Sequence, residues 1–385
     1  MFKFKTDQNS NLRVGKLKTN HGILQTPFFM PDATRGFVKL ATTKDVLETG
    51  TEALVVNTFH LYLQPGLDLI NKAGGVHQFM SSKQPLLSDS GGFQVFSLIH
   101  RSSKMGKIDD EKVTFKSPLD GSLHELTPEK SIQIQFILGT DMIVCLDDCP
   151  PNEFSRTQME KSVERTLAWA RRCKKEYLRQ IKKRKITDAK RPLLFSVVQG
   201  GKEIDLRRYC ASELAKIGFD GYGFGARPVD ADGNFLAEIL FETAQSIPKE
   251  SLRFALGVGT PEDIYRCALM GWDMFDCVIP TREGRHGRLF FFKDDFKIKT
   301  LPDLKGPIEQ APDFYEAINI ANTSWSQDFS PINQNSKIPE LRTYSKSFLH
   351  HLFRLKEPLG QRLAALHNLE FFQDLLLKIR ENKLK

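Results

Sequence analysis

Residues 193–201 read LLFSVVQGG, a short apolar run that ends in an amide side chain and two glycines. Seven similar runs occur elsewhere, separated mostly by stretches long enough for a helix. The eight runs are Thr26–Pro31, Ala53–Val56, Pro85–Leu87, Met142–Leu146, Leu193–Val198, Gly221–Phe224, Phe254–Val258 and Met274–Ile279. Runs that are apolar on both faces and alternate with helices indicate a parallel sheet covered on both sides. Eight of them predict an α/β fold, a (β/α)8 TIM barrel rather than an open doubly wound sheet.

Polar residues and glycines follow most of these runs. They are Asn57, Asp89-Ser90-Gly91-Gly92, Asp147-Asp148, Gln199-Gly200-Gly201, Gly225 and Gly257–Gly259, with Asp276 inside the eighth run. In such barrels the carboxyl ends of the strands converge on one mouth, where active sites are built. The sequence therefore predicts three carboxylates and an amide around one cavity, with glycines that let a ligand approach the backbone.

Two hairpin insertions and a helical tail are also predicted. The alternating residues and the Asp-Gly-Ser turn of Lys112–Leu126 indicate one hairpin, and Arg288–Lys299, with a turn at Asp294-Asp295, indicates another. Helical periodicity returns in Ser345–Lys356 and Leu359–Arg380. We therefore expect two parts. Residues 1–300 would form the catalytic barrel with its N-terminal and inserted hairpins, and 301–385 a helical C-terminal subdomain.

The composition favours a cytoplasmic protein with a polyanionic partner. The longest apolar stretches are too short to span a bilayer, and the first residues lack the apolar core of a signal peptide. The formal net charge of +8 fits nucleic acid, although many basic proteins bind none. The six cysteines form no CxxC pair, which argues against a disulfide framework or a zinc knuckle.

Asp89, Asp147 and Asp276 lie in apolar or glycine-rich surroundings, where a carboxylate is costly unless it is paired or used. A helix N-cap is the alternative interpretation of any one of them. Two carboxylates that flank a sugar carbon are the apparatus of glycosidic chemistry, since one attacks the carbon and the other moves protons. Arg282 and Arg285, on the loop after Asp276, either bind phosphates and base edges or are solvated surface residues.

The ordered motifs of the chain resemble those of the tRNA-guanine transglycosylases. They are Asn57–Leu61, Ser88–Gln94, Asp147–Cys149, Val198–Gly201, Gly257–Gly259, Phe275–Arg282, Tyr344–Leu352 and His367–Leu369. The resemblance extends over nearly the whole chain. It implies exchange of the guanine at the wobble position of tRNA for queuine or its 7-aminomethyl-7-deazaguanine precursor, through a covalent aspartyl-ribose intermediate.

The resemblance also implies the site residues. Asp276 matches the nucleophile and Asp89 the general acid/base. Residues matching the base-binding site are Ser90, Gly91, Gly92, Phe93, Asp147, Gln199, Gly225 and Leu256, with Phe93 and Leu256 enclosing the base and Gln199 and the Gly225 N–H donating to its carbonyl. Residues matching the tRNA-binding stretches are Gly257, Val258, Gly259, Thr260, Pro261, Glu262, Asp263, Thr281, Arg282, Glu283, Gly284 and Arg285.

The chain departs from the family at its zinc site. Ser336, Ile338 and Leu341 occupy the positions of the three cysteine ligands, and His367 alone matches a ligand. Because neither serine nor aliphatic side chains replace a thiolate, we expect no zinc and no other cofactor. The resemblance implies a homodimer as one possibility, but family dimers form through this region, so the loss of the cysteines leaves the oligomeric state open.

A second departure concerns the loop after the sixth run, which in the family reads GGLAVGE or close to it. Here it is Gly225–Ala231, with Ala231 at the position of the glutamate that senses the aminomethyl group of the incoming base. Asp230 is a candidate replacement, and Arg227 would disfavour a cationic base. The partners implied are therefore tRNA with a wobble guanine and a purine or deazapurine base of open identity. Two alternatives stay open, namely a catalytically idle relative that binds tRNA or supports a partner subunit, and a transglycosylase of altered base or nucleic-acid specificity.

Overall fold

Eight parallel strands close into a barrel in the computed structural model, which describes residues 2–7, 10–293 and 306–381. In chain order the strands are β1 (Phe2–Thr6), β2 (Arg13–Lys18), β3 (Ile23–Thr26), β4 (Phe28–Pro31), β5 (Leu54–Val56), β6 (Leu86–Ser88), β7 (Gly106–Ile108), β8 (Val113–Lys116), β9 (Leu123–Leu126), β10 (Met142–Val144), β11 (Leu193–Val198), β12 (Gly221–Phe224), β13 (Leu252–Ala255), β14 (Met274–Cys277), β15 (Arg288–Phe292) and β16 (Tyr315–Asn319).

The barrel strands lie in the order β4-β14-β13-β12-β11-β10-β6-β5. A parallel bridge between Asp32 and Val55 joins β4 to β5 and completes the ring. The predicted TIM barrel is therefore confirmed, and each of the eight predicted runs overlaps one of its strands. The seventh run was placed too late, because β13 begins at Leu252 and ends at Ala255.

Helices follow most barrel strands and cover the outside of the barrel. They are α1 (Thr43–Glu48), α2 (Thr58–Leu61), α3 (Leu67–Lys72), α4 (Val76–Met80), α5 (Gly92–Arg101), α6 (Pro128–Leu138), α7 (Arg156–Arg184), α8 (Ile204–Ile217), α9 (Ala237–Ser246), α10 (Pro261–Leu269), α11 (Ile279–Arg285), α12 (Pro339–Thr343), α13 (Lys346–Arg354) and α14 (Pro358–Glu381). Single helical turns of other geometry are Tyr62–Gly66, Ser103–Met105, Asp188–Lys190 and Thr323–Trp325. None of the described helices is long and apolar enough to cross a bilayer.

Alternation along the strands decides which side chains face the barrel interior. The buried interior cluster includes Phe28 and Met30 of β4, Phe254 of β13 and Met274 of β14. Because side chains of a strand alternate between faces, the next inward position lies two residues further along each strand. Those positions carry Asp32, Asn57, Asp89, Gln199, Leu256 and Asp276. Most of these side chains are polar, so the barrel interior changes from apolar to polar towards the carboxyl ends of the strands.

The insertions differ in part from the prediction. The hairpin within Lys112–Leu126 is present as β8 and β9, and β7 adds a third strand. β15 pairs with β16 and not with the residues directly after it, so its partner lies farther along the chain than predicted. The predicted turn at Asp294-Asp295 lies outside the described residues. An antiparallel sheet of β1, β2 and β3 precedes the barrel.

A His-Asp-His cluster lies at the amino-terminal ends of the strands. Oδ1 of Asp141 lies 2.9 Å from Nδ1 of His21, and Oδ2 lies 3.3 Å from Nε2 of His77. The same two oxygens accept the backbone N–H groups of His21 and Leu86. The carboxylate is thus saturated by groups of the chain itself, and the cluster ties the β2–β3 hairpin to the underside of the barrel.

The tail packs on the barrel through α14, and both predicted tail helices are present as α13 and α14. Asn368 donates from Nδ2 to the carbonyls of Pro280 and Arg288 and accepts the N–H of Phe290. Arg362 forms an ion pair with Asp45 at 2.5 Å. The division of the chain at residue 300 falls outside the described residues and stays a prediction.

Candidate active site

A cavity of about 540 Å³ opens at the carboxyl ends of the barrel strands. Its walls come from the loops after most of the eight strands. Of the predicted site residues it is lined by Asp89, Ser90, Phe93, Asp147, Gly225, Leu256, Gly257, Asp276 and Arg282. The structure therefore brings together the three carboxylates that the sequence singles out.

Asp276 presents one oriented carboxylate to this cavity. The backbone N–H of Gly257 donates to its Oδ1 at 3.0 Å. Burial, reinforced by the nearby charge of Asp32, raises the pKa of Asp276 to about 6, against the opposing effect of that hydrogen bond. One oxygen is thus held in place, and the group is mostly ionised at neutral pH. These are the properties that a carboxylate nucleophile needs.

Asp89 is held by three donors from the adjacent loops. Oδ1 accepts the N–H groups of Thr58 at 2.9 Å and Gly91 at 3.2 Å, and Oδ2 accepts Nδ2 of Asn57 at 2.5 Å. Burial raises its pKa to about 7, and the charges of Asp276 and Asp32 add to this effect against the N–H donors. A carboxyl group that titrates near neutrality can both give and take a proton.

Asp147 lines the cavity and pairs with Gln199, which is fully buried and is not one of the lining residues. Nε2 of Gln199 donates to Oδ2 of Asp147 at 2.7 Å, while the buried Oε1 of Gln199 has no hydrogen-bond partner among the described residues. Burial raises the pKa of Asp147 to about 7. The Asp147 carboxylate and Oε1 of Gln199 are both acceptors, so the pair suits a planar ligand whose edge carries hydrogen-bond donors.

The remaining predicted base-site residues differ in what they offer. Phe93 is 53% exposed and lines the cavity together with Leu256, so both apolar side chains are available to a ligand.

The N–H of Gly225 donates to the carbonyl of Val198 at 3.0 Å and is not free in this structure. A Cβ at Gly225 would collide with the side-chain amide of Gln199, so this glycine makes room for that amide.

Ser90, Gly91 and Gly92 form the turn between β6 and α5. Oγ of Ser90 accepts the N–H of Gly92 at 3.2 Å, and Gly91 has a φ of 78° that favours glycine. A Cβ at Gly92 would lie 2.8 Å from Cδ1 of Leu146. The glycines therefore shape the turn that places Asp89 and Phe93 at the cavity.

The loop after β12 is locally strained, and the side chain of Asp230 is bonded to the backbone of the same loop. Ala226 has a φ of 125°, a region that is costly for any residue with a side chain. The carboxylate of Asp230 accepts the N–H groups of Asp232 and Asn234, which makes it part of a turn. Arg227 lines the cavity. Arg227, and not Asp230, is thus the charged side chain that this loop brings to the site.

Gly257–Asp263 forms the turn into α10. Gly257 lines the cavity, Val258 is buried, and a Cβ at Gly259 would collide with Cys277. Oγ1 of Thr260 caps the helix, which begins at Pro261. Glu262 accepts the hydroxyl of Tyr315, and Asp263 pairs with Arg266. These last side chains mainly build the turn.

Thr281, Arg282, Glu283, Gly284 and Arg285 lie on α11. Arg282 lines the cavity and is half-exposed, and its Nε donates to Glu283 at 3.2 Å. Thr281 is buried, whereas Gly284 packs so closely on α14 that a Cβ would lie 2.7 Å from the backbone nitrogen of Ala365. Burial lowers the pKa of Arg285, which also lies within the electrostatic reach of Asp32.

Sequence reasoning missed Asp32. It follows β4 directly, lines the same cavity, and acts electrostatically on both Asp89 and Asp276. The signal was available, because Phe28, Met30 and Asp32 are spaced by two and share the inward face.

Comparison with known proteins identifies the family. The model of the family described as queuine tRNA-ribosyltransferase matches residues 7–382. The chain belongs to this family. Proteins named queuine tRNA-ribosyltransferase from Halothermothrix orenii and Caldanaerobacter subterraneus are 39% and 40% identical to it, over 97% and 98% of this chain and 90% and 91% of their own lengths. One from a Psychrobacter species is 39% identical over 97% of this chain and 90% of its own. As a queuine tRNA-ribosyltransferase family member, the chain is a glycosyltransferase of the pentosyltransferase class.

The zinc site that the family resemblance implies does not fit the residues present. Ile338 and Leu341 are buried in the apolar core, and Oγ of Ser336 donates to Glu370 at 2.5 Å. Nε2 of His367 lies 2.8 Å from the carbonyl of Phe290, and burial lowers the pKa of this imidazole to about 4. One imidazole without a thiolate is not a structural zinc site. Apolar packing and the Ser336–Glu370 hydrogen bond stabilise this region instead.

Proposed function

We propose that this protein exchanges the guanine at the wobble position of tRNA for queuine or its 7-aminomethyl-7-deazaguanine precursor, without zinc and in the cytoplasm. The observation that carries the proposal is the pair of half-buried carboxylates, Asp276 and Asp89, that face one cavity with separate hydrogen-bond environments. Family membership supports the substrate class.

The exchange follows from the two carboxylates. The free oxygen of the Asp276 carboxylate attacks C1′ of the ribose, and the bond between C1′ and N9 of guanine breaks. Asp89 gives its proton to the departing base. Asp89 then takes the N9 proton of the incoming base, whose nitrogen attacks C1′ and releases Asp276 as a carboxylate. Both groups return to their starting protonation states, so the cycle balances.

The base would lie between Phe93 and Leu256, with its polar edge towards Asp147 and Gln199. Asp147 accepts hydrogen bonds from the N1–H and amino groups in this arrangement. The target nucleotide has to leave its stack to reach the cavity. The basic side chains at the mouth, Arg282 and Arg285, would bind the anticodon loop.

The test is incorporation of labelled guanine into a tRNA that carries a wobble guanine. Wild type is compared with Asp276→Asn, which keeps the size of the side chain and removes its charge. Exchange by wild type alone, with a covalent tRNA adduct that survives denaturation, supports the proposal. A folded wild-type protein that binds the tRNA without exchange or adduct would show an idle relative. Exchange by Asp276→Asn at the wild-type rate would exclude Asp276 as the nucleophile.

A further inference from the structure

Asp32 lies on the side of the cavity where the sugar of the target nucleotide has to be. In the ring of strands β4 stands opposite β11, which ends at Val198 and is followed by Gln199. Asp147, which lines the cavity and accepts from the fully buried Gln199, therefore marks the wall that the proposed function assigns to the base. β4 is paired directly with β14, in a register that sets Met30 beside Asp276. Asp32 is the next inward residue beyond Met30, so it projects into the mouth above the nucleophile.

The carboxylate of Asp32 is less fully hydrogen-bonded than that of Asp89. Both oxygens of Asp89 already accept hydrogen bonds from the loops around it. Oδ1 of Asp32 accepts the N–H of Thr34 at 2.9 Å and also the hydroxyl of Thr34. Oδ2 has no hydrogen-bond partner among the described residues. A half-buried carboxylate oxygen thus faces the cavity with its bonding capacity unused.

The chemistry of an internal RNA nucleotide indicates what this oxygen accepts. The 3′ and 5′ oxygens of such a nucleotide are phosphodiesters, and phosphates repel a carboxylate. The 2′-hydroxyl is the single hydroxyl donor of the ribose, and it is attached to the carbon next to C1′. Hydrogen bonds to the corresponding 2-hydroxyl strengthen in the transition states of glycoside cleavage.

We propose that Asp32 accepts a hydrogen bond from the 2′-hydroxyl of the target ribose and thereby makes the exchange selective for RNA over DNA. The inference rests on the proposed function, because it assigns a specificity residue to that reaction. The inference is consistent with membership of the family, and Asp32 lies outside the motifs that carry the family resemblance.

The experiment pairs an enzyme change with a substrate change. The substrates are two anticodon stem–loops that differ only at the wobble guanosine, which carries ribose in one and 2′-deoxyribose in the other. The enzymes are wild type, Asp32→Val and Asp32→Asn, with Asp68→Asn on the exposed face of α3 as the matched control. The measured quantity is kcat/KM for incorporation of labelled guanine. Comparison across enzymes removes the intrinsic difference in reactivity between the two glycosidic bonds.

We expect Asp32→Val to lower kcat/KM about 10- to 100-fold more on the ribose substrate than on the deoxyribose substrate. A hydrogen bond to a charged group is lost only where the hydroxyl exists, whereas the lost charge near Asp89 and Asp276 affects both substrates alike. Asp32→Asn keeps a weaker acceptor and retains part of the selectivity. It also carries the test if the valine variant does not fold. The control keeps wild-type selectivity.

Two outcomes would overturn the inference in different ways. Equal losses on both substrates in the Asp32 variants would mean that Asp32 acts only through its charge on Asp89 and Asp276. In that case the proposed function stands and the hydroxyl contact does not. No exchange by wild type on the ribose substrate would overturn the proposed function, and the inference with it.

Discussion

The backbone N–H of Gly257 donates to Oδ1 of Asp276 at 3.0 Å, so the loop after β13 orients the carboxylate on β14. The bond fixes which oxygen is left to react, and it favours the ionised form of a buried group. It also explains a glycine at this turn, because Gly257 has a φ of 70°.

Replacing Asp276 with asparagine should reduce exchange by a factor on the order of 10⁴ or more, because no other oriented nucleophile replaces it. The covalent adduct with tRNA should disappear, while tRNA affinity and thermal stability stay near wild type. Labelled-guanine incorporation, a denaturing gel and a melting curve measure the three quantities. Loss of stability together with activity would show a structural role instead.

The exchange rate should depend on pH through two carboxyl groups, one of which has to be ionised while the other has to be protonated. Asp276, with a pKa of about 6, has to be ionised, so kcat falls as the pH drops below 6. Asp89, with a pKa of about 7, has to carry a proton at the first step, so kcat also falls above pH 7. We expect a bell-shaped profile of kcat at saturating guanine with its maximum between these values. A flat profile from pH 5 to pH 8 would contradict the assignment.

Gly225→Ala should weaken base binding without affecting tRNA binding. The added methyl group would collide with the buried amide of Gln199 and displace it from Asp147. The expected result is a rise in KM for guanine of about tenfold, comparable to the loss of one buried hydrogen bond. Gly306→Ala is the control, because no atom lies within 4 Å of the missing Cβ of Gly306 and its φ is not positive. It should leave KM unchanged.

Ala226→Gly should stabilise the protein by up to about 1 kcal/mol, because glycine tolerates the φ of 125° that alanine adopts here at a cost. Urea unfolding measures the change. Ala237→Gly, in the first turn of α9, should instead destabilise the protein, since its helical backbone gains nothing from glycine. Destabilisation by both variants would indicate that Ala226 contributes packing.

Arg227→Leu should improve the use of a cationic incoming base. Arg227 lines the cavity, while the nearest acidic side chain of its loop, Asp230, is committed to a turn. Removing a like charge should raise kcat/KM for 7-aminomethyl-7-deazaguanine several-fold relative to guanine. Competition between the two bases for the same tRNA measures the ratio. An unchanged ratio would place the guanidinium away from the substituent.

The sequence predicted the barrel because its signals are local. Each apolar run ends in glycines or polar side chains, so Leu193–Val198 or Gly221–Phe224 can be recognised without knowing its neighbours. The pairing of β15 with β16 could not be predicted from local signals. The two strands are far apart in the sequence, and neither strand by itself specifies the register of the pair.

The sequence predicted the candidate site through its aspartate residues. Asp89, Asp147 and Asp276 stand out because they interrupt apolar runs, and all three line one cavity. Asp32 was missed because the predicted run stops at Pro31, and only the period of two from Phe28 and Met30 indicates that the side chain of Asp32 faces the cavity. The N–H of Gly225 donates to the carbonyl of Val198 because β11 pairs with β12, and this pairing is not visible in the sequence around Gly225.

The packing of Gly284 against α14 connects the helix after the last barrel strand to the C-terminal helix. The helix that carries Arg282 and Arg285 rests on Ala364 and Ala365 with no space for a side chain between them. Asn368 fastens the same contact from the other side. If Arg282 and Arg285 bind the anticodon loop as proposed, a small molecule inserted between α11 and α14 would displace these arginines and inhibit the enzyme without competing with guanine.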